Sequence, residues 1–143
     1  MPDSATWSLH PQLASDTHGV GDLPLSRVLI IKDANFPWVI LVPRRAGVSE
    51  VFDLNPEDQT QLMSEITRTS MALKEITACD KINIAALGNV VPQLHVHVIA
   101  RSKSDAAWPQ PVWGKLKPAP YDTRTLREFA GLLTRALGLP GSA

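Results

Sequence analysis

Apolar and polar positions along the chain follow two periods in turn. Residues 27–33, RVLIIKD, and 38–43, WVILVP, are β-rich and almost continuously apolar. Separated by ANFP, they predict a hairpin with both faces covered. Pro43 has no N–H to give a ladder and closes the second strand, after which RRAGVSEVFDL leads away as a loop. From residue 55 to residue 80 the period becomes helical. Asn55 fits an N-cap, Pro56 the first helical position, and Glu57 and Asp58 the positive end of the helix dipole. Leu62, Ile66, Leu73 and Ile76, with Met63 and Thr69 or Ser70 between them, predict one buried stripe.

KINIAAL predicts a third strand, GNVVP a turn, and QLHVHVIAR a fourth strand paired antiparallel to the third. Residues 102–121 are rich in proline and carry Trp108 and Trp113, which predicts an extended, ordered loop. A last helix spans 122–138, starting at Asp122 or Thr123, burying Leu126, Phe129, Ala130, Leu133 and Leu137, and stopping at Gly138. Residues 1–25 read as a non-repetitive arm with one helical turn near PQLAS. The sum is a single α+β domain over residues 1–143, with an antiparallel sheet covered on one face by two helices. So many apolar strand residues also invite a second subunit at one edge.

A chain of 143 residues buries a core without staples. Zero formal net charge gives no field drawing it to nucleic acid or to an anionic membrane. Cys79, the only cysteine, excludes a disulfide within the chain and a thiolate-rich zinc site, and fits a reducing cytoplasm. No segment approaches the ~20 apolar residues of a membrane span, and the N-terminus does not read as a leader. His10 and His18 lie outside any motif and read as surface residues.

Chemistry concentrates in QLHVHVIA. Alternation along a strand puts Gln93, His95 and His97 on one face, with Leu94, Val96 and Val98 on the other. Successive members stand roughly 6.5–7 Å apart, a spacing that lets two imidazoles converge on one ligand. Three readings are open: the wet face of an ordinary strand, a metal site that still needs a third ligand, and nucleophilic catalysis on phosphorus. In the last, a neutral imidazole attacks while a backbone carbonyl holds its other nitrogen. The Gly88–Asn89 turn and Asn83 on the preceding strand favour it, because they supply neutral donors where phosphate charge develops.

With these residues in place the chain resembles the histidine triad family of nucleotide hydrolases and transferases, in a bacterial subgroup with a Q-x-H-x-H motif. Matching features run from about residue 26 to residue 101. The resemblance implies a five-stranded antiparallel sheet with one long helix and a C-terminal helix, no cofactor or metal, and a homodimer. It further implies hydrolysis or transfer at the α-phosphate of dinucleoside polyphosphates or nucleoside phosphoramidates. His95 then matches the attacking residue and His97 a phosphate and leaving-group contact. Asp33 matches a ribose contact, and Asn83, Gly88 and Asn89 the neighbourhood of the phosphate. Gln93 stands at the first triad position, Trp38 and Ala46 where the family commonly has histidine. Gln93 hydrogen-bonds without titrating. These departures motivate a rival reading, a nucleotide-binding protein with little hydrolysis. Trp108 and Trp113 fit base stacking or loop anchoring equally, and Arg101 and Lys115 fit solvated charges better than phosphate ligands.

Overall fold

A computed structural model describes residues 6–140. Its sheet has the order β1-β2-β3-β5-β4, every neighbouring pair antiparallel: β1 (Thr17–Asp22), β2 (Ser26–Ile31), β3 (Trp38–Pro43), β4 (Lys81–Ala85) and β5 (Val96–Arg101). Three α-helices complete it among the described residues, α1 (Pro11–Asp16), α2 (Pro56–Thr77) and α3 (Thr123–Leu137), with a 3-10 turn at Val51–Asp53. The α+β architecture with a five-stranded sheet, a long helix and a C-terminal helix is therefore as the sequence implies. The first strand comes from the arm, which corrects its reading as non-repetitive. β1 is THGVGD, whose two glycines and a register shift between Gly19 and Gly21 hide its period.

Capping at α2 follows the sequence. Asn55 Oδ1 accepts from the Asp58 N–H at 2.8 Å, Pro56 opens the first turn, and Ala78 closes the helix in the left-handed region. Asp122 caps α3 through the Arg124 N–H at 2.8 Å, and Gly138, at φ 64°, ends it. Both helices cover one sheet face, where Leu62, Ile66, Leu73, Phe129, Leu133 and Leu137 meet Val28, Ile30, Val39, Leu41, Val96 and Val98. One member of the expected stripe fails: Met63 is 61% exposed, and Glu65 points inward instead. Glu65 is fully buried because its carboxylate takes the Leu25 and Ser26 N–H groups, at 2.8 and 2.9 Å, where β2 begins.

The opposite face carries Leu29, Trp38, Ile40, Val42 and Ile99, and it is covered by the short helix α1 and irregular segments rather than by a long helix. Trp7, Leu9 and Leu13 come down from the N-terminal segment, and Ala107 and Val112 from the loop after β5. The apolar excess that invited a second subunit is thus covered by the chain itself. β5 begins only at Val96, later than the alternation predicts. The physical reason is that Pro92 donates nothing and the Leu94 N–H is taken by the Val48 carbonyl, so residues 93–95 leave the ladder. β4 reaches β5 through the ten residues 86–95, a longer connection than the short turn expected.

Truncating Glu65 to Ala strands two buried N–H donors. The expected outcome is a loss of about 2–4 kcal/mol in urea denaturation. A loss well below 1 kcal/mol would show that the clamp on β2 carries no weight.

Candidate active site

His95 and His97 are both buried, at 7% and 5% exposure, and their ring centroids lie 5.1 Å apart. The two rings are held in opposite senses. His95 Nδ1 lies 2.7 Å from the backbone carbonyl of Gln93, and a carbonyl only accepts, so Nδ1 carries the proton and donates. Nε2 is left with a free lone pair. At His97 the neighbour is a donor: the Trp38 indole N–H gives to Nδ1 at 2.9 Å. An indole N–H never accepts, so the proton of neutral His97 sits on Nε2, which becomes a donor. One ring therefore offers a nucleophilic nitrogen and the other an N–H.

Burial, and secondarily the positive charge His95 would carry, push His97 down to about 4. It is neutral throughout the physiological range. Trp113 packs edge-on against both His97 and Trp38, with centroids 5.0 and 5.6 Å away. Trp38 and Trp113 are the site residues that sequence reasoning missed or left open. Trp38 counted as a lost imidazole, yet the indole at that place sets the tautomer of a remaining one.

Two adjoining pockets meet here. One, of about 450 Å³, is lined by His95, His97, Trp113, α1 and residues 87–91, including Gly88 and Asn89. Gly88 turns the chain at φ +74°, a conformation that glycine adopts without strain. The second, of about 420 Å³, holds Lys32, Asp33, Trp38, Trp113 and Leu116. Asp33 Oδ1 accepts from the Asn35 and Ala119 N–H groups at 3.0 and 3.1 Å, which fixes the carboxylate. No protein donor meets Oδ2 among the described residues, so it is available to a hydroxyl.

Other sequence-predicted residues lie elsewhere. Asn83 Oδ1 accepts from Arg101 Nη1 at 2.9 Å, and its side chain lines neither pocket. Its expected phosphate contact is corrected to a structural one. Arg101 is 1% exposed rather than solvated, paired through both Nε and Nη2 with Asp105, at 2.8 and 3.0 Å. Its guanidinium stands 5.8 Å from the Trp108 ring centroid. Asp105 also accepts from the Ser102, Ala107 and Trp108 N–H groups. The Arg101 guanidinium, helped by the Ser102 and Ala107 N–H groups, holds the Asp105 carboxyl at about 2. This hub folds the loop that delivers Trp113, while Trp108 anchors at the hub.

Gln93 differs most from expectation. Its Oε1 accepts from the His10 N–H and its Nε2 donates to the Ser8 carbonyl, both at 2.9 Å. The amide pairs with the N-terminal backbone as a neighbouring strand would, so both of its ends are engaged away from the histidines. A direct phosphate or imidazole contact by this side chain is corrected accordingly. His10, read as a surface residue, is half-buried and caps α1 by accepting from the Gln12 N–H at 3.0 Å. Among the described residues no group of three or more His, Cys, Asp or Glu side chains forms a metal cluster.

Comparison with known proteins identifies the family and the fold. The family model described as HIT domain matches residues 12–104. A histidine triad protein from Bradyrhizobium japonicum is 60% identical, covering 92% of this chain and 98% of its own, with a TM-score of 0.91. A second, from Sinorhizobium meliloti, is 43% identical over 94% of this chain and 99% of its own, also at 0.91. The asymmetrical bis(5'-nucleosyl)-tetraphosphatase of Schizosaccharomyces pombe is 29% identical over 84 residues, 55% of this chain. That match spans 46% of the relative's length.

Two outcomes follow from the side-chain contacts. A free imidazole titrates near 6.5, so between roughly pH 6.5 and 4 the unfolded chain binds a proton that folded His97 refuses. Stability is present above that window and falls through it by about 3 kcal/mol. Urea denaturation at pH 7 and pH 4 should show this portion missing in His97→Gln; identical pH dependence in both proteins contradicts it. Gln93→Ala leaves the carbonyl on His95 untouched and frees the N-terminal segment. The His10 amide should then exchange roughly tenfold faster or more, and unchanged exchange would mean the amide clamp is idle.

Proposed function

The chain belongs to the HIT domain family, and from that premise we propose that it is a hydrolase or transferase acting at the α-phosphate of a nucleotide derivative. The substrate class is a dinucleoside polyphosphate or a nucleoside phosphoramidate. A single observation carries the reading: His95 donates from Nδ1 to the Gln93 carbonyl at 2.7 Å, leaving Nε2 unprotonated in a pocket. In the neutral ring such a nitrogen presents its lone pair as a nucleophile.

In the first step His95 Nε2 bonds to phosphorus and the bond to the leaving group breaks, the leaving group taking the electron pair and a proton from solvent. Positive charge on the phosphorylated imidazole is stabilised by the Gln93 carbonyl at Nδ1–H. Water then bonds to phosphorus, the P–N bond breaks, and His95 recovers its lone pair while the water proton returns to solvent. His97 Nε2–H and Asn89 give hydrogen bonds to the phosphate oxygens as charge builds, a neutral form of oxyanion stabilisation. The nucleoside occupies the Asp33 pocket, where Oδ2 accepts from ribose hydroxyls. Support for a homodimer comes from β4, an edge strand with exposed Ile84, followed by exposed Leu87 and Val90. The free, buried Cys79 fits a cytoplasmic setting.

His95→Ala should lower turnover of adenosine phosphoramidate by about 10³-fold or more and abolish acid-quench trapping of labelled nucleotidyl-enzyme, with the urea midpoint retained. Turnover unaffected by the change would sink the mechanism. Wild-type protein that binds AMP in calorimetry and forms no product would identify the rival, a nucleotide-binding protein.

A further inference from the structure

The pocket that holds the two histidines contains no lysine or arginine among the described residues, and its one charged side chain is Asp16. Asp16 ends α1 and sits at the junction of the two pockets with Ile31 and Trp113. Gln12, one turn earlier, donates from Nε2 to both Asp16 oxygens at 3.0 Å; both residues are exposed and both line the rim of the histidine pocket. The segment is itself pinned, because Gln93 holds the backbone of Ser8 and His10 where the helix begins. Lys32 lines only the adjoining pocket, and its ammonium donates to the Ser15 carbonyl at 3.3 Å. Two carboxylates, Asp16 and Asp33, therefore stand against one ammonium over the combined lining.

From this charge distribution we infer that Asp16 is a specificity-determining residue that selects against polyanionic leaving groups and in favour of neutral or amine ones. The inference rests on the proposed attack by His95 and names the substrate class within it. With the nucleoside beside Asp33, the departing group lies between α1 and residues 87–91. A polyphosphate chain there meets neutral donors and one negative charge, and nothing in the lining offsets its added charges. An amine leaving group adds no negative charge and meets no such repulsion.

The test compares kcat/KM for diadenosine tetraphosphate with kcat/KM for adenosine phosphoramidate, with magnesium and with chelator, in wild type, Asp16→Asn and Asp16→Lys. Removing one negative charge from the exposed pocket rim should raise the tetraphosphate-to-phosphoramidate ratio about three- to fivefold, and Asp16→Lys should raise it further. A ratio unchanged within twofold overturns the inference. So does a ratio that falls in Asp16→Asn only when magnesium is present, which would make Asp16 a metal contact. Wild-type protein that turns over neither compound overturns the catalytic reading itself, an outcome distinct from turnover with an unmoved ratio.

Discussion

Much of the site depends on one hydrogen bond, from the Trp38 indole N–H to His97 Nδ1. In water an imidazole samples both neutral tautomers and its cation; buried against a group that only donates, it keeps one form. The consequence reaches across 5.1 Å to His95, which is spared a neighbouring positive charge. A cationic His97 would supply more electrostatic attraction for phosphate, but its burial disfavours charge. In the proposed reaction phosphate would instead meet neutral donors, in keeping with a histidine pocket that holds no lysine or arginine among the described residues. Mutual repulsion between two imidazolium rings never arises at neutral pH.

That arrangement needs the second face of the sheet to be dry, and two irregular segments make it so. The N-terminal segment is held by the Gln93 amide, and the loop after β5 is held by the Arg101–Asp105 hub. Each contributes to the histidine pocket: Asp16 at its exposed rim, and Trp113 packed edge-on against His97. Segments without long helices or paired strands otherwise lack the cooperative bonds that fix side chains to fractions of an ångström. Here buried or half-buried side chains that satisfy several backbone groups at once take that part. Asp105, which serves three N–H groups and a guanidinium, is the fullest case.

The sequence made visible what is local or periodic. Asn55, Pro56 and Gly138 mark helix ends because capping depends on neighbours within four residues, and the 38–43 run declares a buried strand through composition alone. The histidine pair was legible for the same reason, as an alternation within three residues, and a backbone carbonyl behind the attacking ring was expected without Gln93 being named as its source. What stayed hidden is long-range. Trp38 and His97 are 59 residues apart, and Gln93 and Ser8 are 85 apart, so neither partnership leaves a pattern along the chain. β1 was hidden for another reason: two glycines and a bulge remove the alternation by which a strand is read. Met63 and Glu65 exchanged places because the hydrophobic period gives no credit to a carboxylate that finds two buried N–H donors.

The measurement closest to the central claim is the protonation of the two imidazoles, read by long-range ¹H–¹⁵N correlation at pH 7. The account requires His95 to carry a proton on Nδ1 and His97 to be neutral with its proton on Nε2, the His97 pattern collapsing toward tautomer exchange in Trp38→Phe. A His97 protonated on Nδ1, or a cationic His97 at pH 7, would contradict it.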